Sequence, residues 1–331
     1  MTKRRATSPA RTVSAEVAAR MVTSGMWLDY GAVLAQPDCF DRALAARAPE
    51  LWDVKIRSAI STRPRAVMEA DPNGDHFYMM SLHFSAYDRK KHDAGRCDYM
   101  PVNLGEIDDL YARVIDPVDI VIIKTCPVDP DGNFNLGAAT LWHRAIVERA
   151  RLVIVETCST LPFCHGVDNA VHISEVDFVV VGDNEPVWEL PTPPLTDVDR
   201  AVAGFISSEI EDGACLQIGI GGMPNAVCSL LLESGVRNLG VHSEMLTDGI
   251  VDLYKAGLVT GAAKTLDPGK NCFQLRAGFE IPLRHNRSQS RFHRLPDALH
   301  QPAACHHAER QGRDHQQHDA NGCAGAGGIG K

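Results

Sequence analysis

The chain has 331 residues, of which 44% are hydrophobic and 23% charged, and its formal net charge is −9. That length accommodates two α/β domains with separate cores, and the composition is ordinary for a globular protein. An acidic balance without a lysine or arginine stripe argues against nucleic acid as a partner. No run nears the roughly 20 apolar residues that span a bilayer, so no membrane partner is expected.

In chain order, Thr2-Lys3-Arg4-Arg5 through Arg11 is basic and lacks acids until Glu16. No hydrophobic stretch follows as a secretory signal requires, and residues 1–11 read as a disordered tail, with only a faint likeness to an organelle transit peptide. From Ser14 to Glu189, helical patterns alternate with short β-branched runs, which predicts βα units around a largely parallel sheet over residues 12–190. Ala15 to Val22 and Cys39 to Arg47 read as helices, and Trp27 to Tyr30 as a short strand. Val118 to Ile123, Leu152 to Val155 and Phe178 to Val181 are continuous apolar runs, as expected where helices cover both faces of a sheet.

Pro191-Thr192-Pro193-Pro194 cannot lie in a helix or a central strand, which marks residues 191–195 as a linker. A second, smaller domain over residues 196–270 opens with a helix from Asp197 and a strand from Cys215 to Ile218. The ten cysteines are scattered without a CxxC pair, which suggests reduced thiols and a cytoplasmic location. Cys158, Cys164 and His165 match no standard zinc spacing, so no metal is expected.

The second domain carries the richest local signal. Leu216-Gln217-Ile218-Gly219-Ile220-Gly221-Gly222-Met223-Pro224-Asn225 runs from a strand through a glycine loop into a helix extending to Leu232. A second strand at Leu239 then leads to Glu244. Glycines let backbone approach a ligand, the helix N-terminus favours negative charge, and Pro224 falls where its missing N–H matters least. The loop should hold an anion or oxyanion.

Three readings stay open from the residues alone. A dinucleotide site would use Gly219, Gly221 and Glu244, but Pro224 replaces the third glycine of the usual fingerprint. A bare strand-to-helix turn needs no ligand. In the third reading Glu244 is a nucleophile towards an activated acyl group such as a thioester, with backbone N–H groups of Gly221, Gly222 or Met223 steadying the oxyanion.

Gln217 to Val227, His242 to Gly249, Lys264-Thr265-Leu266-Asp267-Pro268-Gly269-Lys270, Ser24 to Gly31 and Pro127 to Phe134 together resemble the acetyl-CoA hydrolase/transferase family. The butyryl-CoA:acetate and 4-hydroxybutyrate CoA-transferases are members that it resembles, and the resemblance spans roughly residues 12–270. It implies two open α/β domains with mostly parallel sheets and an active site between them. It also implies that Glu244 is the catalytic glutamate and that Gly219, Ile220, Gly221, Gly222 and Met223 contact CoA. Gln217, beside the loop, is a candidate for bonding substrate. The implied reaction moves CoA from a short-chain acyl-CoA to a small carboxylate such as acetate through a glutamyl-CoA thioester. CoA thioester is substrate there, and no cofactor is needed. Acetyl-CoA hydrolysis, or a noncatalytic CoA- or dinucleotide-binding remnant, are the alternatives. A homo-oligomer is left open.

Plainer roles fall to other residues. Asp248-Gly249 reads as a turn or helix cap rather than a second acid. His242 reads as a packed histidine rather than a base, and Asp129 and Asp131 as a solvated turn.

Residues 271–331 lack Val, Thr, Tyr, Trp and Met, yet hold seven of the fourteen histidines and six of the eight glutamines. An independent fold is not expected there, and nothing after Lys270 matches the family. A one-base shift from His315 gives, with permissible codons, family-like sequence. The expectation is therefore a frameshifted or miscalled segment, an incomplete second domain, and weak or absent activity of the chain as written. The DNA reading frame across codon 270 tests it.

Overall fold

The structure is a computed structural model that describes residues 6–115, 118–164, 166, 168–187, 189, 194–273 and 275–276. The first unit runs β1 (Arg11–Val13), α1 (Ala15–Ala19), β2 (Trp27–Ala32), α2 (Cys39–Ala45), β3 (Val54–Ala59), α3 (Ala66–Ala70), β4 (Phe77–Ser81) and α4 (Ala86–Asp93). It continues with β5 (Cys97–Tyr99), α5 (Ile107–Arg113), β6 (Val118–Thr125), β7 (Asn133–Asn135), α6 (His143–Arg149), β8 (Ala150–Thr157), β9 (Ala170–His172) and β10 (Phe178–Val181). The second unit has α7 (Asp197–Ser208), β11 (Cys215–Leu216), α8 (Gly222–Ser234), β12 (Gly240–Val241), β13 (Met245–Leu246), α9 (Asp248–Lys255) and β14 (Leu275–Arg276).

Eight strands form one sheet in the order β1-β10-β8-β6-β2-β3-β4-β5, every neighbouring pair parallel. The runs expected to be buried strands are β6, β8 and β10. Alternation divides β6 between two cores: Val121 and Ile123 join the cluster around Tyr111 and Trp142, and Ile120 and Ile122 join the cluster around Phe40 and Phe77. From β2 the chain proceeds outward through β3, β4 and β5, then returns to the other side of β2 with β6. Strand order therefore reverses between β2 and β6, and the crevice at their carboxyl ends is where open α/β sheets bind ligands.

Boundaries shift for local reasons. The helices read to Val22 and Arg47 stop at Ala19 and Ala45, because past the C-caps Arg20 and Ala46 the amides bond three residues back: Val22 N–H to Ala19 O and Arg47 N–H to Leu44 O. The tail read over residues 1–11 is tied down on its described side, with Ala6 N–H donating to Ser174 O and Arg11 opening an edge strand beside Phe178. Residues 1–5 lie outside the described residues, as do 190–193 of the linker region.

The second unit is smaller. Its described strands are two residues long and pair in parallel as β11 with β12 and β13 with β14. Its core gathers Leu231, Leu239, Val241, Ile250 and Leu253. The packed chain also runs past the composition change at residue 271. Asn271 is fully buried and accepts from Val241 N–H at 3.0 Å, and Phe273 joins the second core. Of the segment read as shifted, residues 271–331, only 271–273 and 275–276 are among the described residues.

Candidate active site

Beyond Leu216, a side chain takes over the ladder between the two strands that lead to the site. His242 N–H donates to Leu216 O at 3.0 Å. Two residues on, the buried Ser243 hydroxyl donates to Ile218 O at 3.1 Å and lies 3.3 Å from Ile218 N–H. The serine thus pins the chain entering the glycine loop to the chain entering Glu244. On its other side Ser243 N–H donates to Cys272 O, and Cys272 N–H to Val241 O, both at 3.0 Å. With Ser243 turned inward, Glu244 stands exposed, and its carboxylate has no hydrogen bond or ion pair among the described residues. Met245 packs against the larger core cluster of the first unit, so Glu244 sits where the two units meet.

The glycines of the loop serve different ends. Gly221 has φ +126° and ψ 178°, a conformation open essentially to glycine alone, and it ends the loop as the N-cap of α8. A Cβ at Gly222 would lie 3.0 Å from Asp199 Oδ2, so this glycine lets α7 and α8 pack closely. At Gly219 neither constraint applies, since φ is ordinary and nothing lies within 4 Å of a Cβ. The amides of Gly222 and Met223, in the first helical turn, have no carbonyl one turn back to accept them. Together these leave bare backbone and outward N–H donors around Gly219 to Met223.

Lys264 supports the segment from below. It is buried, and its Nζ donates to Val241 O at 3.0 Å and to Lys270 O at 2.7 Å. A Cβ at Gly240 would lie 2.5 Å from Lys264 Cγ, so the strand leading to Glu244 lies directly on this side chain. Burial, with Lys264 adding to it, pushes the His242 imidazole below its ordinary value.

The remaining sequence candidates fall as follows. Gln217 is exposed at the end of β11. Asp248 is the first residue of α9, and the cap position falls on its neighbour Thr247. Asp129 Oδ1 accepts from Asp131 N–H at 3.0 Å and Asn133 N–H at 2.7 Å, which makes this loop a carboxylate-closed turn. Among the described residues no group of three His, Cys, Asp or Glu side chains could hold a metal; His165 lies outside them. No helix among the described residues is long and apolar enough to cross a membrane. Ser243 and Lys264 lie inside quoted motifs, yet nothing in their spacing separates a clamp from a surface residue. Only the alternation of Ser243 with Glu244 hints at it.

Comparison with known proteins identifies the family and the fold. The acetyl-CoA hydrolase/transferase N-terminal domain profile matches residues 1–191, and the chain belongs to that family. The chain is 42% identical over 267 residues to the butyryl-CoA:acetate CoA-transferase of Anaerostipes caccae, a match covering 80% of this chain and 60% of that protein. RipA from Yersinia pestis superposes with a TM-score of 0.76 at 28% identity, over 88% of this chain and 68% of that one. The 4-hydroxybutyrate CoA-transferase of Porphyromonas gingivalis does so with a TM-score of 0.65 at 26% identity, over 81% and 63%. The mostly parallel two-unit α/β architecture is thus that of the CoA-transferases.

Proposed function

We propose that this chain carries the catalytic machinery of a cytoplasmic acyl-CoA:carboxylate CoA-transferase acting on short-chain acids. The observation that carries the reading is the Ser243 clamp, which holds an exposed carboxylate, unpartnered among the described residues, beside a loop of bare backbone amides. Names of relatives, butyryl-CoA:acetate and 4-hydroxybutyrate CoA-transferase, support the substrate class. All eight described cysteines are free thiols, which supports a reducing compartment.

In the proposed reaction Glu244 attacks the acyl-CoA carbonyl. The C–S bond breaks, leaving an acyl-glutamyl anhydride and CoA thiolate. The thiolate attacks the glutamyl carbonyl, giving glutamyl-CoA thioester and releasing the donor carboxylate. Acetate then attacks this thioester, and the returning thiolate takes the new acyl group, freeing Glu244. Each step passes through an oxyanion, which Gly221, Gly222 and Met223 amides would stabilise. Gly219 and Ile220 would admit the CoA arm, with Gln217 at its edge as a substrate contact. CoA thioester is consumed as substrate, so the chemistry calls for no cofactor.

Exposure of Glu244 also leaves the thioester open to water, so acetyl-CoA hydrolysis is the competing outcome. Incubation with butyryl-CoA, borohydride reduction and peptide mass analysis tests the scheme. Conversion of the Glu244 carboxyl to an alcohol is expected; an unmodified Glu244 in a chain that consumes butyryl-CoA would sink it. Added acetate then separates transfer from hydrolysis by whether acetyl-CoA or free CoA accumulates.

A further inference from the structure

Two cysteines stand side by side where β6 and β8 leave the sheet. The register of these strands pairs Lys124 with Glu156 and Thr125 with Thr157, and the ladder runs one bond further, from Cys158 N–H to Thr125 O at 2.8 Å. Cys126 and Cys158 are therefore the next neighbours, and alternation puts both thiols on the face that carries Lys124 and Glu156. Adjacent strands lie about 4.8 Å apart, inside the roughly 4.4–6.8 Å Cα separation that a disulfide spans. The two side chains share one buried cluster with Leu161, and both are free thiols.

The two thiols differ in access. Cys158 lines a narrow crevice with Thr160, Lys124, Arg63 and Arg65, and the free volume there, about 20 Å³, holds one small molecule. Water or hydrogen peroxide suits such a space, whereas an organic acid or a bulky disulfide does not. Thr160 donates its hydroxyl proton to Glu185 O at 2.7 Å, so its oxygen accepts from the Cys158 S–H at 3.0 Å and holds the sulfur in place. The three cations beside it are gathered around Asp38. Cys126 is not in the lining. It packs on Leu161, to whose carbonyl its thiol donates at 3.5 Å. Burial, then the nearby Cys164 and Cys158, push the Cys126 thiol up to about 12, so it stays protonated until an electrophilic sulfur is presented to it.

We propose that Cys158 and Cys126 form an oxidation site for hydrogen peroxide, with Cys158 reacting first and Cys126 closing a disulfide between β6 and β8. The Cys158 sulfur attacks one peroxide oxygen. The S–O bond forms, the O–O bond breaks, and the departing hydroxide takes up the thiol proton as water. Cys126 then attacks the sulfenic sulfur of Cys158: the S–S bond forms, the S–O bond breaks, and a second water carries away the Cys126 proton. Two thiols are oxidised and one peroxide is reduced to two waters. The bridge ties together the carboxyl ends of β6 and β8, and a thiol reductant reopens it by exchange. Nothing in this rests on the transferase reading.

The test uses the full chain, reduced, freed of reductant and given one equivalent of hydrogen peroxide. Remaining thiols are then alkylated, and the digest is mapped by mass spectrometry without reduction. A Cys126–Cys158 peptide pair that dithiothreitol abolishes is the expected product, in roughly tenfold higher yield than in urea, where the sheet no longer aligns the two sulfurs. Cys126→Ala should stop Cys158 at the sulfenic acid, captured by dimedone, and Cys158→Ala should leave Cys126 reduced. A bridge from Cys126 to Cys164 in its place, a yield no higher in the folded chain than in urea, or Cys158 left reduced while the exposed Cys215 is oxidised overturns the proposal. These three readings come from the unsubstituted chain, so they decide the matter even if an alanine variant fails to fold.

Discussion

The two units handle their polar groups in opposite ways. In the first, an eight-stranded sheet is buried on both faces, and its buried charges pair with one another, as Asp29 Oδ2 does with Arg57 at 3.1 Å and the Tyr111 hydroxyl at 2.6 Å, even where a second oxygen such as Asp29 Oδ1 has no hydrogen bond among the described residues. In the second, two-residue strands and a serine clamp hold a carboxylate and several amides that nothing among the described residues answers. The contrast teaches that stability and chemistry are drawn from different parts of this molecule. Buried sheet supplies a rigid platform, and short, strained connections present the reactive groups.

The comparison breaks first at the platform. Ile123→Ala, in the middle of β6 and fully buried, should destabilise the first unit by about 2–5 kcal/mol. Urea unfolding measures this, and a loss below 1 kcal/mol would mean that the double-sided core is not the source of stability.

Acid should act on the same unit. Burial pushes the His143 imidazole from 6.5 down to about 4. Between those values the unfolded chain binds the proton and the folded chain does not, so stability falls as pH drops, by about 3 kcal/mol in all. Asp41 opposes it: burial raises its carboxyl from 3.8 to about 6, so the folded chain holds a proton there and gains stability as pH falls from 6 towards 4. Unfolding measured across pH 4 to 6.5 should show a smaller acid loss than His143 alone gives, and His143→Gln should turn it into a gain.

Gly221→Ala sharpens the contrast from the other side. At φ +126° an alanine is strained by about 1–3 kcal/mol, and the change should weaken α8 and CoA binding while hydrogen exchange in β6 and β8 stays unaltered. Slowed or quickened exchange in those strands would show the units to be one cooperative block. The smallest effect belongs to Asp129→Ala, which removes a turn-closing acceptor at a loss of about 0.5–1 kcal/mol and should leave Glu244 labelling unchanged.

Much of the platform was legible because burial on both faces leaves continuous apolar runs, which is how β6, β8 and β10 stand out. The second unit was legible in content but not in extent. Cys215 to Ile218 reads as one strand, yet the ladder stops at Leu216 because the Ser243 side chain replaces the backbone bonds at Ile218. No periodicity encodes such a substitution. Nor could the three glycines be told apart, since one answers to backbone strain, one to helix packing and one to neither. The cluster of Arg63, Arg65 and Lys124 around Asp38 was not legible, because its members are far apart in sequence and each alone resembles a surface residue.

By itself the sequence determined the α/β class through hydrophobic periodicity, and its local motifs carried the resemblance to the family, because both are written in neighbouring residues. Tertiary structure decided which groups are left unanswered. Ser243 reaching Ile218, Lys264 beneath Gly240 and three cations around Asp38 are contacts between distant segments, and only the folded chain brings their donors and acceptors within hydrogen-bonding range.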